Sequence, residues 1–277
     1  MLSTTDHRRD YSGFHYVYPV VSRRAGGVSV GINLNPNNAC NWACIYCQVP
    51  DLTRGGPPPI DLDLLETELG TLLGDIVHGD FLHRHVAEDA RRLMDVAFSG
   101  NGEPTSASEF PDAVTRTVAV MHRLGLLPAL KLRLITNGSL LHRPAVQRGI
   151  RALGAVAGEV WFKVDRATAT GIERTNGIRL EPQRLSANLE TCAALADTWV
   201  QTCWFGIDGA APDDAEEAAY LDFIARVAGK IKGVHLYGLA RPSMQPGAER
   251  LLRLPATALE ALAARIADRG IAVSVSP

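Results

Sequence analysis

The 277-residue chain predicts an α/β fold in which a parallel sheet is wrapped by crossover helices. Strand-like and helix-like stretches alternate about six times after residue 26. Successive strand-like stretches also end in turns rich in Asn and Gly, the place where an α/β sheet carries its chemistry. With 46% hydrophobic and 21% charged residues, the composition is ordinary globular usage and ample for a large core.

Composition also narrows the function classes. A net charge of −2 and a pI near 6.4 give no global drive toward nucleic acid, although a local basic patch remains compatible with them. No apolar run is long enough to span a bilayer, and Met1 to Asp10 is too polar for a signal peptide. Three of the five cysteines crowd into one loop, which does not read as a disulfide framework. A reducing, cytoplasmic setting is the expectation.

Residues 1–26 mix charges with aromatics (His7, Arg8, Arg9, Tyr11, His15, Tyr16, Tyr18) and read as an irregular arm whose rings cover an edge of the domain. A basic-aromatic segment can also stack on and pair with nucleic acid, but Asp6 and Asp10 dilute the charge. Gly27 to Leu34 alternates apolar with small or polar residues, a strand signal. It runs through Asn35-Pro36-Asn37-Asn38 into Cys40-Asn41-Trp42-Ala43-Cys44-Ile45-Tyr46-Cys47. Three soft thiolates on so short a loop can converge on one metal centre, zinc or an iron–sulfur cluster. A closed zinc site wants four ligands, and the nearest later cysteine is Cys192. On a four-iron cluster, three thiolates leave one iron open to a ligand.

Thr53 to Pro59 is a Gly/Pro-rich break, and Asp61 opens a helix with Leu64, Leu65, Leu69, Leu72, Leu73 and Ile76 at helical spacing. Asp95 to Phe98 is a short strand ending in Gly100-Asn101-Gly102-Glu103-Pro104, where glycines permit close backbone approach and free N–H and C=O groups can hold a zwitterion. Leu130 to Ile135 is a strand followed by the turn Thr136-Asn137-Gly138-Ser139. In Glu159 to Asp165, Lys163 stands inside an apolar strand, where an ammonium is costly without a partner, and Asp165 on the same face could pair with it. Leu185 to Trp199 reads as a helix and Val200 to Ile207 as a strand, with Cys192 and Cys203 as small core residues. A helix over 215–231, a strand over 233–241 whose final Arg241 could meet an anionic group, a helix over 259–269 and a strand over 271–275 complete the chain.

The spacing C-x-x-x-C-x-x-C, with Tyr46 before the last cysteine, resembles the signature of the radical S-adenosylmethionine (radical SAM) enzymes. The resemblance covers the chain from about Gly27 to Arg269 and implies the partial (β/α)6 barrel of that family, with residues 27–277 as one core domain and 1–26 as an N-terminal arm. It further implies a [4Fe-4S] cluster on Cys40, Cys44 and Cys47, with S-adenosylmethionine chelating the open iron. The reduced cluster would cleave S-adenosylmethionine to methionine and a 5′-deoxyadenosyl radical that abstracts hydrogen from a substrate. By the same resemblance Tyr46 packs near the adenine, and Gly100, Asn101, Gly102, Glu103 and Pro104 are similar to the turn that holds the methionine amino group. Thr136 and Asn137 then support the cofactor from below, and Lys163 and Asp165 contact its ribose and carboxylate. An electron donor such as flavodoxin or ferredoxin is implied as a partner.

The motif set looks closest to the wyosine-synthetase-related branch, whose members that make the tricyclic base act on tRNA. Those members bear additional N-terminal cysteines and a Schiff-base lysine, whereas no cysteine precedes Cys40 here. A relative acting on an unidentified substrate is therefore the expectation. Alternatives are a glycyl-radical activase of a partner protein, a tRNA-base modification enzyme, and a non-catalytic zinc-binding protein.

Overall fold

The computed structural model describes residues 2, 12–22 and 26–277. The basic and aromatic residues His7, Arg8, Arg9 and Tyr11 lie outside them. Eight strands form one curled sheet: β1 (Val17–Ser22), β2 (Gly27–Ile32), β3 (Leu93–Phe98), β4 (Lys131–Thr136), β5 (Glu159–Lys163), β6 (Asp197–Cys203), β7 (Gly233–Tyr237) and β8 (Val273–Ser276). They neighbour one another in that order. From β2 onward every pairing is parallel; β1 alone runs antiparallel, against β2. The result is a half-barrel, the partial α/β barrel that the sequence resemblance implies.

Besides a five-residue helix at Phe81–His85, the helices are α1 (Leu62–His78), α2 (Phe110–Arg123), α3 (Pro144–Gly154), α4 (Ala169–Asn176), α5 (Pro182–Ala193), α6 (Asp214–Val227) and α7 (Ala256–Ala267). Helix α1 starts where Asp61 predicts, because the Asp61 carboxylate accepts the backbone N–H groups of Asp63 and Leu64. Helices α2, α3 and α5 each begin with a proline in the first turn, whose missing N–H would have had no partner there.

Alternation along the strands separates two environments. Val28, Val30 and Ile32 of β2, Val96 and Phe98 of β3, Leu132 and Leu134 of β4, and Val160 and Phe162 of β5 are fully buried in the apolar layer beneath the helices. The residues between them, Ser29, Asp95, Arg133, Trp161 and Lys163, face the concave side and line a cavity of about 650 Å³.

Three expectations need correction. The lead-in before Gly27 is not wholly irregular: Val17–Ser22 is an edge strand of the main sheet, with Tyr18 lying across Gly31. The helix expected over 185–199 ends at Ala193, and Thr198 and Trp199 already belong to β6. Leu195 and Ala196 continue the apolar helical spacing across that boundary, which hides it from periodicity. The strand expected over 200–207 likewise stops at Cys203; Gly206–Ile207 pairs instead with Leu251–Leu252.

Candidate active site

The cysteine loop leaves the C-terminal end of β2 and is held from three sides. Ala39 and Cys40 pair with Thr53 and Arg54. The C-terminus of α4 accepts two loop amides: Ala43 N–H donates to Asn176 O (3.0 Å) and Ile45 N–H to Thr175 O (2.9 Å). The segment after β7 covers the far end, where Ser243 Oγ donates to Ile45 O (2.7 Å) and Gln245 Nε2 to Val49 O (2.6 Å). These tethers turn all three thiols toward the cavity, which Cys40, Cys44 and Cys47 line together. Burial pushes the Cys44 thiol up to about 12 and the Cys40 thiol to about 11, so charging them requires a compensating cation.

The fit of this loop to a metal group follows from its geometry. Among the described residues, no three His, Cys, Asp or Glu side chains are grouped closely enough to hold a single ion. A tetrahedral zinc ion would need its thiolates at about 2.3 Å from one point. The three cysteines line one cavity, and soft thiolates are the donor set an iron–sulfur cluster takes.

Facing the cysteines, the Gly100–Pro104 turn follows β3. Its glycines answer a steric demand: a Cβ at Gly100 would meet Asn33 Oδ1, and one at Gly102 would meet Ala39 O and the Asn35 amide. Asn33 Oδ1 accepts from Asn101 N–H (3.0 Å), joining the ends of β2 and β3. Gly100, Asn101, Gly102 and Glu103 line the cavity; Pro104 is buried behind them and opens a short 3₁₀ turn.

The Glu103 carboxylate, 3% exposed, accepts from Thr105 N (3.1 Å), Thr105 Oγ1 (2.5 Å), Thr136 Oγ1 (2.6 Å) and Asn137 N (2.7 Å). Burial raises its pKa and these donors oppose the rise. Its side chain is thus engaged with the protein, and the groups left for a ligand on this turn are backbone ones. Thr136 holds Glu103 from behind. Asn137 lines the cavity and donates through Nδ2 to Asn41 Oδ1 (2.8 Å), linking the β4 turn to the cysteine loop.

Lys163 and Asp165 do not form the ion pair that their spacing allows. Asp165 is 2% exposed; its Oδ2 accepts from Tyr46 Oη (2.6 Å) and Asn176 Nδ2 (2.8 Å), and its Oδ1 from Cys203 N–H (2.9 Å). Lys163 lines the cavity, donates to Tyr237 Oη (3.2 Å), and lies 5.0 Å from the centre of the Tyr46 ring. Burial is the largest single influence and would lower the lysine pKa, but Asp165, Tyr237, Cys44 and Cys203 together outweigh it and the net shift is upward. Lys163 is a fixed cation. Tyr46 itself packs edge-on against Phe205 (5.2 Å) and stays protonated through burial and the nearby carboxylate.

Three cavity residues escaped the sequence reading. Cys203, read there as a small core residue, lines the cavity next to the Asp165 carboxylate, whereas Cys192 does sit in the helix-side core. Gln201, paired with Lys163 across β5 and β6, is 3% exposed and reaches the cavity with no side-chain hydrogen bond to the described residues. Arg133 pairs with Asp95 and with Glu159 (3.3 Å) deeper in the barrel. The signal was present in all three: polar residues at alternate positions of otherwise apolar strands. Arg241, expected at a strand end, lines the cavity as well.

Comparison with known proteins places this architecture. TYW1, in a structure with a lysine–pyruvate adduct bound, superposes with a TM-score of 0.59 over 87% of this chain and 73% of its own, at 15% identity. A radical SAM methyltransferase from Sphaerobacter thermophilus superposes with a TM-score of 0.58 over 94% of this chain and 68% of its own, at 14% identity. The fold is that of the radical SAM enzymes. In sequence, the chain is 28% identical over 160 residues to a UPF0026 protein of Helicobacter pylori strain J99, a match over 57% of this chain and 44% of that protein. The chain thus spans less than half the length of this curated relative. No family model matches it. In this half-barrel, the cysteine loop and the glycine turn meet at the C-terminal ends of β2 and β3, the rim at which α/β barrels carry their chemistry.

Proposed function

We propose that the protein is a radical SAM enzyme, with Cys40, Cys44 and Cys47 as the protein ligands of a [4Fe-4S] cluster and S-adenosylmethionine as the ligand of the open iron. One observation carries the reading: three tethered thiols, a glycine turn and a half-buried lysine cation face a single cavity at the C-terminal rim of a half-barrel. A cluster held by these thiolates would supply one-electron reducing chemistry to a bound sulfonium. The chain's own residues do the rest. The Gly100–Gly102 backbone offers acceptors for an amino group, and Lys163 offers a cation for a carboxylate. Tyr46 supplies an aromatic part of the wall, backed by Phe205, and the segment at Ser243–Gln245 braces the cysteine loop from outside.

The substrate has to reach the same cavity, whose polar inner wall, with Gln201 and the Arg133–Asp95 pair, suits a polar group. A lysine–pyruvate adduct like that named for the TYW1 structure is disfavoured: of the four lysines only Lys163 lines the cavity, and the groups around it together hold it protonated. A reductant such as flavodoxin or ferredoxin would supply the electron, and a cytoplasmic setting suits an oxygen-sensitive cluster. No helix of the described residues is long and apolar enough to cross a membrane.

The test is anaerobic reconstitution with iron and sulfide, reduction with dithionite, addition of S-adenosylmethionine and chromatography for 5′-deoxyadenosine. Formation in the wild type and loss of both cluster absorbance and product in Cys44→Ala is the expected result. Zinc bound in place of iron and sulfide would overturn the reading.

A further inference from the structure

Beyond its three thiolates, the cysteine loop has a partner whose chemistry points at the metal group. Asn176 closes α4, is 2% exposed, and is held in place because its carbonyl accepts Ala43 N–H (3.0 Å) while Gly177, at φ 65°, turns the chain away. Its side-chain Nδ2 carries two hydrogens and has two acceptors, Asp165 Oδ2 at 2.8 Å and Cys44 Sγ at 3.3 Å. Because both partners are acceptors, the orientation of the amide is fixed: its nitrogen, not its oxygen, faces the sulfur. The two groups it bridges are the sulfur that would carry an iron and the carboxylate that receives Tyr46 Oη.

We propose that Asn176 is a positioning residue that donates an N–H···S hydrogen bond to the Cys44 thiolate and raises the reduction potential of the cluster. The inference rests on the reading of the cysteine loop as a cluster site. Its physics is general: an electron added to an iron–sulfur cluster raises negative charge on its sulfurs, so a fixed donor stabilises the reduced state more than the oxidised one. The donor is buried beside the sulfur, where water does not replace it if it is removed. Through Asp165, the same amide ties the cluster sulfur to Tyr46, so the orientation of the aromatic wall and the electron affinity of the cluster depend on one side chain.

The experiment compares reconstituted wild type, Asn176→Ala and Asn176→Asp by anaerobic potentiometric titration followed by electron paramagnetic resonance. Both variants are expected to shift the midpoint potential downward, the aspartate further because it replaces a donor with a negative charge. Iron and sulfide content and the urea midpoint report separately on assembly and fold. Wild type grown with 15N-asparagine provides a readout that needs no variant: pulsed resonance of the reduced cluster should detect an asparagine side-chain nitrogen coupled to the spin, exchanging its proton signals in D2O. Clusters that assemble in all three proteins with equal potentials, or a wild type with no such coupling, would overturn the inference while leaving the cluster reading intact. A wild type that takes up no iron and sulfide would overturn both.

Discussion

Glu103 shows how one buried side chain can tie two turns of a candidate site together. Four donors from Thr105, Thr136 and Asn137 converge on a carboxylate that water scarcely reaches. Glu103→Gln would put an amide NH2 where one oxygen now accepts, leaving at least one buried donor unsatisfied at a cost of about 1–3 kcal/mol. The expected outcome is a lower urea midpoint with an unchanged slope, and weaker S-adenosylmethionine binding because the turns after β3 and β4 lose their common anchor. Unchanged stability would show that the carboxylate is dispensable to the fold. The presence of this residue in the site was legible from the Gly100–Pro104 motif, but its inward engagement was not, because its partners Thr136 and Asn137 lie more than thirty positions away. The same holds for Asp165: spacing put it on the face of Lys163, whereas Tyr46, Asn176 and Cys203, none its neighbour in sequence, claim its oxygens.

At the scale of elements, strand β1 and helix α1 depend on a single buried carboxylate. Glu68, 5% exposed in α1, accepts the backbone N–H groups of His15 (2.6 Å), Tyr16 (2.8 Å) and Val17 (3.2 Å), and so fixes where β1 begins. Glu68→Ala would strand those donors and is expected to cost about 2–4 kcal/mol, read as a drop in the denaturation midpoint and faster hydrogen exchange confined to β1 and its pairing with β2. Strand β1 was hidden in the sequence because Pro19 interrupts it, and proline marks a run as a poor strand; its position at the sheet edge is what makes the proline tolerable. Helix α4 has a comparable duty toward the cysteine loop. Gly177 adopts φ 65°, and a Cβ there would lie 2.7 Å from Ala43 O, the residue whose amide the helix end receives. Gly177→Ala is therefore expected to lower the iron content after reconstitution, with helicity by circular dichroism close to wild type. Full iron loading would show that the helix end does not set the loop.

Taken as a whole, the molecule keeps its stability on one side of the sheet and its chemistry on the other. The convex face is a continuous apolar layer under the helices; the concave face, between the same strands, sets Ser29, Asp95, Arg133, Lys163 and Gln201 among apolar and aromatic side chains and opens to the cavity. A filled barrel would pack both faces, so the half-barrel gives up the inner core and leaves that wall free for ligands. This division was partly legible: the parallel α/β architecture and the cysteine-bearing rim followed from local pattern, while the depth of the cavity depends on strand register and curl that no local pattern encodes. It also makes adjacent strands respond oppositely to substitution. Phe162, fully buried on the helix side of β5, should cost about 3–5 kcal/mol when changed to alanine, through lost burial and the void left behind. Gln201, inward-facing on β6 and without a side-chain partner among the described residues, should tolerate leucine with little loss of stability, since no hydrogen bond within the protein is broken. The ligand response should invert the order. A ligand that binds only the folded state stabilises by mass action, so cluster-loaded Gln201→Leu should show a smaller rise in melting temperature with S-adenosylmethionine or substrate than wild type, while Phe162→Ala should keep the rise on a lower baseline. If Gln201→Leu instead proved as destabilising as Phe162→Ala, the inner wall would be part of the load-carrying core, and the separation of stability from chemistry across this sheet would fail.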